Sequence, residues 1–479
     1  MLARTSAWGG MGVERGMPYA RFRSRIPLQT HADLAPHVER MKRGEADILW
    51  PGACQVYALT SGTTGAPKHI PMTEPMLGHI KRCGMNSAFW YMARARGAGL
   101  LRGRHLYVGG STALSPIAES EPFEAYAGEV SAIAALNMPG WVERHLFEPG
   151  HEIAQMAAWQ ERVEAIAERT PRADITMISG FPSWVLVLAE AIRARAPGGG
   201  RDEAPGTLWP NLDCLMHGGI PAGPYMDELR TALGPDVAFH ETYRAAEGFI
   251  AAQDAEAAAG LRLMADAGVF FEFLPMSQFS ESRLGELGEA AVPLSGVAAG
   301  VDYALVLTAP SGLARYVLGD VVRFVTTNPA RLVYVGRTGL RLNAFGEQVA
   351  EKDITEALLA VCRRNGWTIV NFHVAPLHLG GAGRHEWWVE LKAGTTITPT
   401  GPIIAAELDT ELRKLSRDYE SRRRAGKMEA PFVRLVMPGV FEHWMRFHGK
   451  WGGQNKMPRC CGDRFIANEL GEALQFAKD

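Results

Sequence analysis

The sequence predicts an α/β fold: a large N-terminal domain of mixed, mostly parallel sheets with an antiparallel β subdomain, and a small α+β C-terminal domain. Three observations predict it. Between residues 175 and 243 short apolar runs alternate with helical patterns, as parallel strands joined by covering helices do. Beyond Gly268 the texture changes to closely spaced strands that read as antiparallel. After Arg337 come a helix, two strands and a long helix, a composition sufficient for a second small core.

In chain order, residues 1–50 mix Arg, Pro and short apolar groups, with helix expected at 37–42. The apolar run 56–59 is a short strand ending in a Gly/Thr loop. Residues 76–95 are helical, 105–114 read as strand then loop, and 153–169 show apolar residues at helical spacing. The run 175–179 is a buried strand. Pro182 is placed to start the next helix, which runs out at the Pro-Gly-Gly-Gly segment 197–200. Strands 214–216 and 237–243 flank a helix at 226–233. The later strands are expected at 269–274, 303–307, 315–318, 321–325 and 332–335, then a helix at 351–364, strands at 368–374 and 386–391, and a helix at 403–424. That last helix ends in Arg422, Arg423 and Arg424, favourable to its dipole. The domain boundary is expected at 336–340, giving domains 1–336 and 337–479.

The 479 residues exceed the size at which single cores stop growing. Fifty Lys plus Arg against 52 Asp plus Glu leave a formal net charge of −2, which offers no global attraction to nucleic acid or anionic membrane. The six cysteines are scattered without a C-x-x-C pair, so neither a zinc site nor a disulfide framework is suggested. The N-terminus is rich in Arg but has no apolar core, which argues against a secretory signal. The most apolar window, 175–192, is broken by Gly180 and Pro182 and does not read as a membrane span. A soluble cytoplasmic enzyme is expected.

The chemistry concentrates in Thr60, Ser61, Gly62, Thr63, Thr64, Gly65, Ala66, Pro67 and Lys68. Glycines let backbone N–H groups converge, four hydroxyls add rotatable donors, and Lys68 brings a positive charge. Such a loop suits a polyphosphate, the plain alternative being a Gly/Thr turn. It is not the common triphosphatase loop, since Gly62 and Gly65 are too close and His69 follows Lys68. Tyr243-Arg244-Ala245-Ala246-Glu247 follows a strand, where open α/β sheets present ligand-binding loops. Tyr243 suits stacking on adenine, and Glu247 suits Mg²⁺, which keeps few protein ligands and takes the rest from phosphates. Taken alone, the pair equally reads as core and helix cap. Asp320, in the Gly319-Asp320 step after 315–318, suits the two hydroxyls of a ribose; by itself the step is a turn.

In order and spacing, the phosphate loop, Tyr-x-x-x-Glu, Tyr-x-x-Gly-Asp and Gly336-Arg337 resemble adenylate-forming enzymes. The segment Gly452-Gly453-Gln454-Asn455-Lys456-Met457-Pro458-Arg459, together with Ile70, Pro71 and Thr73, resembles one branch more closely: the acyl acid amido synthetases of the auxin-responsive Gretchen Hagen type and their bacterial relatives. The resemblance covers residues 44–459. It implies that residues 1–336 bind ATP and an acyl acid and that 337–479 form a lid. A carboxylic acid would be activated to an acyl-adenylate with release of pyrophosphate, then transferred to an amine, usually an amino acid. It implies catalytic roles for Lys68, Glu247 and Lys456, a nucleotide contact for Arg337 at the start of the interdomain link, and Mg²⁺ on Glu247. Ser111, Trp184, His217, Gly218 and Gly219 lie on loops expected to wall the acid pocket, although a Trp in an apolar helix and a His after a strand also serve as ordinary core.

The chain departs from the family at Ala245 and Ala246, where a hydroxyl normally precedes the glutamate; Arg244 is the charged donor available in compensation. The hinge positions carry Gly339 and Asn343 rather than the Asp and Lys of the wider superfamily, which weakens an acyl-CoA ligase reading. The rivals are that thioester-forming ligase, separated by its acceptor, and a non-catalytic acid- or nucleotide-binding homologue, separated by the absence of pyrophosphate.

Overall fold

The computed structural model describes residues 1–60, 67–95, 99–195, 209–219, 222–379, 382–392, 400–450 and 457–476, without the side chains of 119, 224, 341, 379, 382 and 473–476. The chain separates into two compact units, Met1–Leu318 with Arg323–Val333, and Gly319–Val322 with Tyr334–Asp479.

In the first unit, strands Phe147–Glu148, Arg104–Val108, Ile175–Gly180, Cys214–Gly218 and Ala238–Ala245 lie side by side and parallel. Period-two alternation sends Leu106, Ile178 and Leu215 to one face, where helices Trp159–Arg169, Pro182–Arg195 and Met226–Leu233 cover them with Ile166, Leu188 and Leu229. Each such leucine, fully buried, contributes about 1.5–3 kcal/mol. The other face receives the helix Glu74–Arg94, which turns His79, Cys83, Ser87 and Tyr91 inward at four-residue spacing. Thr73 caps this helix, its Oγ1 accepting from the Met76 N–H at 3.3 Å.

The sheet turns antiparallel at Ala238–Ala245 and Gly248–Ala252, earlier than the expected change beyond Gly268. Phe270–Pro275 and Asp302–Thr308 continue it as an antiparallel pair. Residues 315–318 and 321–325, read as two strands, form one strand, Tyr316–Thr327. Gly319 adopts φ +86° inside it, so the Gly-Asp step bends a strand instead of ending one. The expected 153–169 helix likewise divides into His151–Ala154 and Trp159–Arg169.

The second unit packs Ile369–Leu379 antiparallel to Ala382–Leu391, with Phe432–Val436 parallel to the latter. Helices Glu351–Asn365 and Gly401–Leu415 supply Leu358, Val361, Leu408 and Leu412 to a core around Trp387 and Phe441. The expected 403–424 helix breaks at Ser416, whose backbone is extended and whose Oγ caps Arg417–Arg424 by accepting from the Tyr419 N–H. Among the described residues no helix is long and apolar enough to cross a membrane.

Candidate functional site

Thr60 ends the strand Val56–Thr60 and stands directly across from Lys68, the first residue of the antiparallel strand Lys68–Pro71. The Gly/Thr loop is thus the connection of a hairpin, and Thr60 and Lys68 face each other across its mouth. Ser61, Gly62, Thr63, Thr64 and Gly65 lie outside the described residues. His31, at the start of helix His31–Lys42, sits in the field of Lys68 and His69; burial and those two charges hold its pKa below the ordinary histidine value. Lys68 and His69 thus bring positive charge to this corner, with Glu39 opposing them at His31, and positive charge suits phosphate oxygens.

Tyr243 and Arg244 lie near the end of Ala238–Ala245, and Ala246 and Glu247 form the two-residue turn into Gly248–Ala252, with Ala245 paired to Gly248. Glu247, at 6% exposure, is a carboxylate presented by a tight turn and not by a helix start. His79 fixes that turn. Its Nε2 accepts from the Phe249 N–H at 2.9 Å, so Nδ1 carries the proton and donates to the Ala267 carbonyl at 2.8 Å. Farther along the same helix Ser87 Oγ meets His240 Nε2 at 2.8 Å, and the Tyr91 hydroxyl donates to the Asp213 carbonyl at 3.1 Å. Sequence reading missed this polar stripe; the four-residue spacing of His79, Cys83, Ser87 and Tyr91 was its available signal. Arg244 is exposed, yet surrounding protein lowers its pKa, with only Tyr107 opposing that shift.

In the second unit the bend at Gly319 brings Asp320, 5% exposed, to 3.3 Å from Arg337 Nε. The Thr338 N–H donates to the Gly319 carbonyl at 2.8 Å and holds the two segments together. Tyr334 joins them: burial and the charges of Asp320 and Glu351 push its phenol well above the ordinary value, against the opposing pull of Arg337. Tyr334 and Glu351 carry no motif and were not legible beforehand. Arg315, at the head of the same motif, is structural: fully buried, it pairs with Glu272 at 2.9 Å and donates to the carbonyls of Arg23, Ile26 and Gly288.

Ser111 Oγ donates to the Gln155 carbonyl at 3.0 Å and accepts from the Ala113 N–H, tying down the loop after Arg104–Val108. Trp184, 8% exposed, packs its ring 4.5 Å from Trp159 and 4.7 Å from Phe181. His217 is 4% exposed, and burial, followed by the charge of Arg244, pushes its pKa to about 4. Gly218 has no room for a side chain: a Cβ would lie 2.1 Å from the Thr242 carbonyl oxygen. Gly219 has φ +76°, and a Cβ there would lie 2.2 Å from the Phe181 ring. Sequence-predicted Trp184, His217, Gly218 and Gly219 thus fall together at the C-terminal ends of parallel strands, where such sheets bind ligands.

Lys456 lies outside the described residues, but the segment following it is firmly anchored. His373 Nδ1 meets the Pro458 carbonyl at 2.7 Å, the Val374 N–H donates to the Arg459 carbonyl at 2.9 Å, and the Cys461 N–H donates back to Val374 at 3.0 Å. Among the described residues no group of three or more His, Cys, Asp or Glu is arranged to hold a metal ion.

Three domain families match along the chain: the GH3 family N-terminal domain at residues 4–111, the GH3 family central domain at 262–337, and the GH3 family C-terminal domain at 352–464. The chain belongs to the GH3 family. Its relatives include indole-3-acetic acid-amido synthetase GH3.8 of Oryza sativa subsp. indica, 24% identical over 94% of this chain and 84% of that protein. Jasmonoyl-L-amino acid synthetase JAR6 of Nicotiana attenuata is 23% identical over 92% and 86%. Among solved structures, GH3.15 acyl acid amido synthetase superposes with a TM-score of 0.76 at 19% identity, covering 99% of this chain and 90% of that one. A 2-hydroxyisobutyryl-CoA ligase in the postadenylation state superposes with a TM-score of 0.62 at 15% identity, covering 98% and 87%. Within this GH3 protein Lys68, Asp320, Arg337 and Lys456 fall inside matched domains, whereas Trp184, His217, Tyr243, Arg244 and Glu247 fall in the stretch between the first two.

Proposed function

We propose that this GH3 protein is an ATP-dependent acyl acid amido synthetase. It adenylates a carboxylic acid with release of pyrophosphate and passes the acyl group to an amine, an amino acid by the family's habit. The observation that carries the reading is one chain with all three GH3 domains in which Glu247 occupies a buried tight turn and Asp320 lies against Arg337. Residues 1–336 are the adenylating domain and 337–479 the lid.

In the first half-reaction a carboxylate oxygen attacks the α-phosphorus of ATP, and the bond to the β-phosphate breaks. Thr60, the 61–65 loop and Lys68 hold the departing phosphates, Tyr243 stacks on adenine, and Asp320 accepts from the ribose hydroxyls beside Arg337. Arg244 supplies the charged donor that Ala245 and Ala246 cannot. Lys456 offsets charge on the non-bridging α-phosphate oxygens. Glu247 is the protein group that fits Mg²⁺, which when bound neutralises phosphate charge. In the second half-reaction the amine nitrogen attacks the acyl carbon, the bond to AMP breaks, and the nitrogen loses a proton. Ser111, Trp184, His217, Gly218 and Gly219 surround the acid.

Pyrophosphate release with ATP and Mg²⁺ across aryl, indolyl and fatty acids, each with and without an amino-acid mixture, tests the reading when products are weighed by mass spectrometry. Acid-dependent release and a new amide mass are expected. Release tied to coenzyme A, with a thioester mass, would replace the reading with an acid–thiol ligase.

A further inference from the structure

Glu241 stands in register with His217 on the neighbouring parallel strand, so the two side chains share a face of the sheet. Phe239, two residues before Glu241, meets the His217 ring edge-on at 6.1 Å and marks the same face. Phe181 lies over Gly219, and Trp184 backs Phe181, giving this end of the sheet an apolar wall. Beside that wall two polar groups have no hydrogen-bond partner among the described residues. His217 Nδ1 is buried without a hydrogen bond. The Glu241 backbone is engaged by Gln253 through both N–H and carbonyl, yet its carboxyl makes no hydrogen bond or ion pair with any described residue. Burial raises the Glu241 pKa and lowers that of His217, so both groups are pushed toward neutral forms that exchange hydrogen bonds with an uncharged polar group. A buried polar atom without a partner, such as His217 Nδ1, is costly, and a suitable ligand removes that cost.

We infer that the acid this enzyme adenylates carries a hydrogen-bonding substituent, a hydroxyl or a ring N–H, on its apolar body, and that Glu241 and His217 hold that substituent. The inference rests on the amido synthetase reading above. A pocket built to hydrogen-bond such a group rejects the analogue lacking it far more strongly than an apolar pocket separates two hydrocarbons.

Initial rates of pyrophosphate release with matched acids test it: para-hydroxyphenylacetic against phenylacetic acid, and indoleacetic against naphthylacetic acid. The polar member of at least one pair is expected to show a kcat/KM higher by roughly 10² or more. Glu241→Leu and His217→Phe are each expected to shrink that ratio about tenfold or more. Because the ratio is taken within each variant, a loss of folded protein cancels. Equal or reversed preference in both pairs, or a ratio unmoved by both substitutions, overturns the inference while leaving the amido synthetase reading intact. Silence with every acid of the wider panel would instead remove that reading and the inference with it.

Discussion

Arg315 and Lys456 illustrate two kinds of charged residue that look alike in a sequence. Arg315 is desolvated, and carbonyls and the Glu272 carboxylate meet its donors on every side; Tyr19 adds a hydrogen bond to Glu272 at 2.8 Å. Breaking one partner of such a pair leaves the other buried and uncompensated, so Arg315→Met is expected to destabilise the first unit by about 3–5 kcal/mol, read as a lowered urea midpoint. Lys456 belongs to chemistry instead. Lys456→Ala is expected to cut acid-dependent pyrophosphate release by about 10² to 10³ with an unchanged urea midpoint. Near-normal release from that variant would remove Lys456 from the reaction. Lys456 was legible because its neighbours form a motif, whereas the role of Arg315 depends on carbonyls that the chain brings from hundreds of residues away.

The informative element is the hairpin of Ala238–Ala245 and Gly248–Ala252, held from behind by the Glu74–Arg94 helix. A sequence shows Tyr243 and Glu247 but not what keeps the turn between them in place. His79 does so with one accepted and one donated hydrogen bond. His79→Leu strands the Phe249 N–H, at a cost of about 1–3 kcal/mol, while the Ala267 carbonyl keeps the hydrogen bond it accepts from Arg82 at 3.1 Å. The variant is therefore expected to lose thermal stability and to need more Mg²⁺ for half-maximal pyrophosphate release; an unaltered Mg²⁺ dependence would separate His79 from the Glu247 turn. Gly218 sets a similar condition on the next strand pair. With the Thr242 carbonyl oxygen 2.1 Å from where a Cβ would sit, Gly218→Ala must push the strands apart, and a drop in both melting temperature and adenylation is expected.

Across the whole molecule, buried neutral histidines govern the response to acid. Burial leads the lowering of His240 to about 3 and of His217 to about 4 in the first unit, and of His373 to about 4 in the second. Unfolding releases each to the ordinary value of 6.5, where it binds a proton that the folded state excludes. Stability is therefore full above pH 6.5 and is lost as pH falls toward 4, by roughly 1.4 kcal/mol per pH unit for each group. Glu347 extends the loss at lower pH: burial would raise its pKa, but the hydrogen bond and charge of His385 outweigh this and hold it below the ordinary 4.5. Melting temperature is expected to fall steadily between pH 6.5 and 5, and a flat profile there would contradict the neutral burial of these rings.

By itself the sequence determined the fold class, the alternation of parallel strands with helices, and the short runs around Lys68, Tyr243, Asp320 and Lys456, because each depends on periodicity or on residues adjacent in the chain. Tertiary structure alone decided the rest. A glycine at φ +86° joined two expected strands into one and carried Asp320 to Arg337; Ser416 broke an expected helix because its side chain caps the next. Which polar residues support the site, His79 among them, and which groups, His217 Nδ1 and the Glu241 carboxyl, meet no hydrogen-bond partner among the described residues, depends on strand register and helix packing. Those place residues tens to hundreds of positions apart within hydrogen-bonding distance, and no local pattern in the sequence encodes that distance.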